Sequence, residues 1–149
     1  MGHILGMVVE LDTNSATGDH IYIGVVGKGG GREFPLDSAI NDFQPGIVTY
    51  LLGTVWQVPA GNVELPNYST VGGRNDPEKY HIDLDEVDYV YIRKQGERTL
   101  TGDDAYQFDS VEVKLYASQI DPTNLRTFRT NIDLWLSNEF GHQVWLKEV

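Results

Sequence analysis

Asp103 and Asp104 stand side by side just ahead of Tyr106 and the alternating run Gln107-Phe108-Asp109-Ser110-Val111-Glu112-Val113, so two carboxylates meet at the mouth of a predicted strand. Adjacent carboxylates repel unless a cation or a donor joins them. Calcium takes roughly six to eight oxygens from carboxylates, amides, carbonyls and water. Two further stretches carry the same ligand types between alternating apolar segments: Asn14 to Asp19, and Asp37-Ser38-Ala39-Ile40-Asn41-Asp42. Brought to one end of a β-sandwich, these loops would form a calcium site, with Asp37, Asp42, Asp103 and Asp104 supplying the charge. Asp, Asn and Ser also cap turns through their own side chains, and on these residues alone both readings stand. Asp109 belongs to a strand and reads as a structural hydrogen-bond or ion-pair partner.

The elements that must position these loops follow from the rest of the chain. Its 149 residues fit one domain, 1–149, and a domain of this size buries roughly 68–70% of its unfolded surface. With 22 acidic against 11 basic residues the net charge is -11, which opposes binding to phosphate backbones and to a bare anionic bilayer. There is no cysteine, so disulfides and thiolate metal sites are excluded and the compartment stays open, extracellular space and a membrane periphery included. No apolar run approaches a membrane span, and Met1-Gly2-His3-Ile4-Leu5-Gly6 lacks the pattern of a signal peptide. The expectation is a soluble chain.

Alternation dominates. His20 to Val26, Val87 to Arg93 and Val111 to Tyr116 read as strands rich in β-branched and aromatic residues. Leu5 to Leu11, Arg32 to Leu36, Ile47 to Trp56, Tyr80 to Leu84, Thr127 to Leu136 and Gln143 to Lys147 bring the candidate segments to nine, which predicts an all-β antiparallel sandwich of about eight strands. Gln57 to Lys79 holds three of the six prolines and is predicted to be an irregular insertion, at about 57–79. Gly27-Lys28-Gly29-Gly30-Gly31 lacks P-loop spacing and reads as a hairpin.

Five motifs in order carry a resemblance: Thr17-Gly18-Asp19-His20-Ile21-Tyr22-Ile23-Gly24, Asn41-Asp42-Phe43 with Gly46, Tyr91-Ile92-Arg93-Lys94, Asp104-Ala105-Tyr106, and Ile132-Asp133-Leu134-Trp135-Leu136. Together they resemble the PLAT (LH2) domain family, and within it the C-terminal C2-like domains of clostridial alpha-toxin-type phospholipases C. The resemblance implies a sandwich of two four-stranded sheets and calcium held by loops at the membrane-facing end. The matching positions are Asn14, Ala16 and Thr17, then Asp37, Ser38, Ile40, Asn41 and Asp42, then Asp104 and Ala105, with Asp19 and Asp103 as neighbours of the set. Ala16, Ile40 and Ala105 would offer backbone carbonyls only. The family prefers aspartate at Asn14, asparagine at Ser38 and glycine at Ile40, so the implied sites are weaker or fewer here. In the similar domains the loop matching Gly96 to Gly102 carries aromatics that enter the bilayer; here Leu100 is its apolar tip.

Catalysis is not expected. His3, His20, His81 and His142 form no HxH or HxxxH pair, and no serine or cysteine sits in a nucleophile context. The resemblance adds that the toxins' zinc-dependent chemistry belongs to a separate helical domain with no counterpart in this chain. Trp135 and Trp145 read as core aromatics, while Trp56, beside the long loop, is a second candidate contact with Leu100. The expected function is non-catalytic attachment to phospholipid headgroups with calcium. Two alternatives are a calcium-independent protein-interaction domain, using an edge strand or the Gln57 to Lys79 loop, and a carbohydrate-binding module, since sandwiches with aromatic faces also bind sugars.

Overall fold

Period-2 segments become strands wherever one face can be buried. The computed structural model describes residues 2–13, 20–36, 46–53, 77–95, 106–117, 124–130, 134–136 and 143–149. Nine strands run in chain order: β1 Gly6–Thr13, β2 His20–Gly27, β3 Gly30–Leu36, β4 Gly46–Leu52, β5 Val87–Gln95, β6 Tyr106–Tyr116, β7 Leu125–Thr130, β8 Leu134–Leu136 and β9 Gln143–Glu148. All pairings between them are antiparallel.

The order β3-β2-β5-β9 makes one sheet and β4-β1-β6-β7 the other. β8 pairs with the start of β6 at Tyr106 to Phe108, while β7 pairs with Val111 to Tyr116, so β7 and β8 share one strand position along β6. The segment expected as one strand, Thr127 to Leu136, is therefore two strands in line. β9 closes the structure. Its residues Gln143 to Leu146 pair with β5, and Lys147 and Glu148 pair with β7. The result is the expected all-β antiparallel sandwich of two four-stranded sheets.

Inward residues of both sheets form one core. Met7, Val9, Leu11, Tyr50, Leu52, Phe108, Val111, Val113 and Leu115 face Ile21, Ile23, Val25, Phe34, Val90 and Ile92, all buried. Alternation explains why: each strand turns every second side chain to the same face, and a register shift where β6 meets Asp12 and Thr13 brings Phe108 onto the same face as Val111.

Two expectations change. β4 ends at Leu52 rather than at Trp56, because Gly53 takes φ 110°, a left-handed backbone that glycine adopts without steric cost and that turns the chain out of the ladder. Tyr80 to Leu84 is not a strand. It lies between 3-10 turns at Pro77–Tyr80 and Leu84–Glu86, with His81 at φ 51°. Its apolar residues plug the open end of the core: Leu84 is buried, Ile82 packs on the core, and the Tyr80 ring meets Phe34 edge-on at 5.6 Å. The plug is tied to the N-terminal residues by Ile4 N–H donating to Ile82 O at 2.7 Å and Leu84 N–H to Gly2 O at 3.1 Å. The glycine-rich stretch is the expected hairpin, with Gly27 paired to Gly30 across Lys28-Gly29. Of the 57–79 insertion only Pro77 to Lys79 is among the described residues, and none of the described helices is long and apolar enough to cross a membrane.

Candidate functional site

The register decides where the three acidic segments begin and end. Thr13, where segment 14–19 leaves β1, is paired with Gly46, where segment 37–45 enters β4, and with Phe108 near the start of β6. On the other sheet His20 is paired with Gln95 and Ile21 with Leu36, so the start of β2, the end of β5 and the end of β3 lie together. All six strand ends that border the acidic segments thus fall at one end of the sandwich. Leu136 of β8 and Gln143 of β9 border segment 137–142 at the same end. Each of these segments passes from one sheet to the other.

The core beneath that end holds two polar side chains among apolar ones. Among the described residues, the buried polar or charged side chains are Thr13 and Lys94, at the last inward positions of β1 and β5. Lys94 is 1% exposed. An ammonium so placed must be matched by acceptors or counter-charge, because desolvating it alone costs several kcal/mol, on the order of what breaks small domains; Lys94 is partnered. Sequence reading placed Lys94 inside a family motif and missed its burial. The signal was there in the alternation Val90, Ile92, Lys94, which puts all three on the inward face.

The expected site residues themselves, Asn14, Ala16, Thr17, Asp19, Asp37, Ser38, Ile40, Asn41, Asp42, Asp103, Asp104 and Ala105, lie outside the described residues, as do Leu100 and Trp56. Among the described residues no group of three or more His, Asp or Glu side chains is arranged to hold a metal ion. Histidines separated in the sequence do meet: the His3 and His81 rings stand edge-on at 5.2 Å, brought together where His3 bridges Asp83.

The outer face of the β3-β2-β5-β9 sheet carries a second constellation. Across it, Glu33, Gly24, Tyr91 and Trp145 form one row, flanked by Tyr22, Arg93 and Gln143 in the row nearer the acidic end. Arg93 grips Glu33 through Nε at 2.7 Å and Nη2 at 3.0 Å and lies 4.5 Å from the Tyr22 ring centre. The guanidinium hydrogen bonds hold Glu33 below the usual carboxylate range. Partial burial, together with the hydrogen bond and charge of Glu33, pushes the Tyr91 phenol up to about 12. A Cβ on Gly24 would collide with the Tyr91 ring, so glycine at this position lets the phenol lie across β2. Trp145, expected in the core, is 53% exposed. Gln143, Trp145 and Lys147 share one face of β9 while Leu146 takes the inward one, and the polar neighbours two residues either side were the overlooked signal.

At the opposite end Arg126 joins elements rather than binding anything. Its Nη1 donates to Leu84 O at 2.7 Å and Val87 O at 2.8 Å, and its Nε and Nη2 hold Glu148 at 2.7 and 2.8 Å.

No protein-family model matches the sequence, and no characterised protein matches it by sequence. Solved structures do match in fold. The alpha-toxin of Clostridium absonum is similar at TM-score 0.61 and 22% identity, covering 97% of this chain and 32% of the toxin. The alpha-toxin of an avian strain of Clostridium perfringens is similar at TM-score 0.60 and 20% identity, with the same coverage of 97% and 32%. Coral 8R-lipoxygenase, described as calcium-activated through a C2-like domain, is similar at TM-score 0.53 and 15% identity over 96% of this chain and 17% of its own. The chain spans about a third of the toxins it matches, and the shared part is the PLAT/C2-like fold.

Proposed function

We propose that this PLAT/C2-like sandwich is a non-catalytic attachment domain that docks on phospholipid through its acidic end, with calcium bridging protein and headgroup. One observation carries the reading: the strand ends bordering all three acidic segments are in register at one end, above a core end that already handles buried polarity at Thr13 and Lys94. The fold likeness supports it, since the similar coral lipoxygenase is described as calcium-activated through a C2-like domain.

In this reading the ligands are those the resemblance assigns, Asn14, Ala16 and Thr17, then Asp37, Ser38, Ile40, Asn41 and Asp42, and Asp104 with Ala105, with Asp19 and Asp103 adding negative charge beside them. Calcium turns a negative rim positive and keeps open coordination positions for phosphate oxygens. Leu100 enters the interface. Burying one leucine contributes roughly 1.5–3 kcal/mol, less than the ~4 kcal/mol of millimolar binding, so the cation bridge supplies the remainder. Attachment is therefore steeply calcium-dependent.

Sedimentation with phosphatidylcholine and phosphatidylserine vesicles, in calcium and in chelator, tests this. Wild type sediments only with calcium, Asp42→Ala and Asp104→Ala do not, and Leu100→Asp is weakened with its melting temperature unchanged. A wild type that never sediments, with identical melting curves in calcium and chelator, gives the function to a protein-interaction role instead.

A further inference from the structure

The two outer faces of the sandwich differ in chemistry. On the β4-β1-β6-β7 sheet, Glu112 is ion-paired to Lys114 at 3.6 Å and Arg129 at 3.3 Å, an ordinary solvated surface. The outer face of the other sheet holds Tyr89 at 59% and Trp145 at 53% exposure, with Tyr91 beside them. β9 pairs with β5 only from Val90 to Arg93 and then turns to β7, so Asp88 and Tyr89 have no β9 partner. The divergence opens a groove of about 460 Å³ lined by Tyr89, Trp145, Leu146 and Lys147, within the range of roughly 300–1,000 Å³ usual for ligand sites.

The rings are set before any ligand arrives. Trp145 stands edge-on to Tyr89 at 5.5 Å and 70° and to Tyr91 at 5.1 Å and 71°. Tyr91 is tied to Glu33, Glu33 to Arg93, and Arg93 stacks on Tyr22. Such preorganisation lowers the cost of ordering on binding.

Charge and shape select the occupant. Glu33 cancels Arg93, and the chain carries a net charge of -11, so the face offers no field for a polyanion. What remains is aromatic surface interleaved with phenol and indole donors, a lysine, and strand-edge backbone groups not used by β9. That combination matches a pyranose, whose C–H face is apolar and whose rim is hydroxyl. We infer that the outer face of β5 and β9 is a platform for a neutral hexose chain, with Trp145 and Tyr89 as stacking residues. It is independent of the acidic end.

Isothermal titration with cellohexaose, maltohexaose and the hexamer of N-acetylglucosamine, in calcium and in chelator, is the experiment. At least one hexamer binds equally in both buffers. Trp145→Ala and Tyr89→Ala each weaken it by about tenfold or more, the scale on which truncating a central aromatic acts in an interface, while Asp104→Ala leaves it intact. Vesicle sedimentation of the two aromatic variants is unchanged. Should Trp145→Ala alter the melting temperature, Tyr89→Ala and Trp145→Phe decide the matter. Absence of heat with all three hexamers at millimolar concentration overturns the proposal, as does binding untouched by the aromatic variants. Loss of vesicle sedimentation in Trp145→Ala would reassign the face to lipid.

Discussion

The two ends of the sandwich solve opposite problems. At one end the chain turns tightly, through Lys28-Gly29 and the paired 3-10 turns, and its groups are satisfied internally: Lys28 N–H reaches Glu86 O at 3.3 Å, Ile4 and Ile82 are joined, and Arg126 collects two carbonyls. Leu84 and Ile82 seal the core there. At the other end lie the strand ends that border the acidic segments, with Lys94 and Thr13 buried beside them. The contrast separates closure from the proposed ligand chemistry: one end uses its polar groups to tie its own elements together, and the other is where the proposed cation-binding segments begin and end.

Substitutions can break this division, beginning with the largest effect. Lys94→Met keeps the buried stem and removes the ammonium with the interaction it makes; the expected loss is on the order of 3 kcal/mol in urea unfolding. Arg126→Ala comes next, about 2–3 kcal/mol from the two carbonyl bonds, and it should leave the calcium response untouched. A calcium-dependent defect in Arg126→Ala would mean that the ends are coupled. Third, saturating calcium should raise wild-type stability by about 2.7 kcal/mol at a hundredfold excess over its dissociation constant. Calorimetric melting of Asp104→Ala should show that gain shrunken, with stability in chelator preserved.

The smallest effects concern pH. Glu33 and Glu148 are held below the ordinary 4.5 chiefly by hydrogen bonds from Arg93 and Arg126. A lowered folded-state value means that their stabilisation is complete above the unfolded value and fades as pH falls below about 4.5 through the folded one. Glu148→Gln should flatten the acid limb of the melting curve. Tyr91 has the opposite sense: raised to about 12 from 10, it stabilises fully below pH 10 and loses that contribution as pH climbs toward 12. Alkaline melting of Tyr91→Phe, beside wild type, checks the sign.

Much of the fold was legible because alternation is a local signal. Ile21, Ile23 and Val25 face inward where period 2 places them, and Gly27 to Gly31 turns as its composition predicts. Tyr80, Ile82 and Leu84 alternate just as clearly yet form a plug, because their partners are Gly2 and Ile4, far away in sequence. Trp145 was misjudged on residue type, when its neighbours Gln143 and Lys147 already marked an outward face. Lys94 shows the converse: a charged type at an inward position, where alternation was the better guide. For the acidic end, composition and the resemblance supplied candidates that lie outside the described residues, while strand register shows that the strand ends bordering segments so distant in the chain lie side by side. Arg126, bonded to Leu84 and Val87 some forty positions earlier, left no sequence signal.

β9 has a consequence in time. It is the one strand paired with both sheets, meeting β5 at Val90↔Leu146 and β7 at Phe128↔Glu148. Without it docked, no backbone ladder among the described strands spans the two halves, and the edges of β5 and β7 stand open as templates for a foreign strand. Such distant pairing is slow, in the millisecond-to-second regime of antiparallel sandwiches. In any state of the chain with β9 undocked, those two edges are open to strand exchange and aggregation, and Leu146, 7% exposed once docked, is the β9 side chain whose burial accompanies their closure.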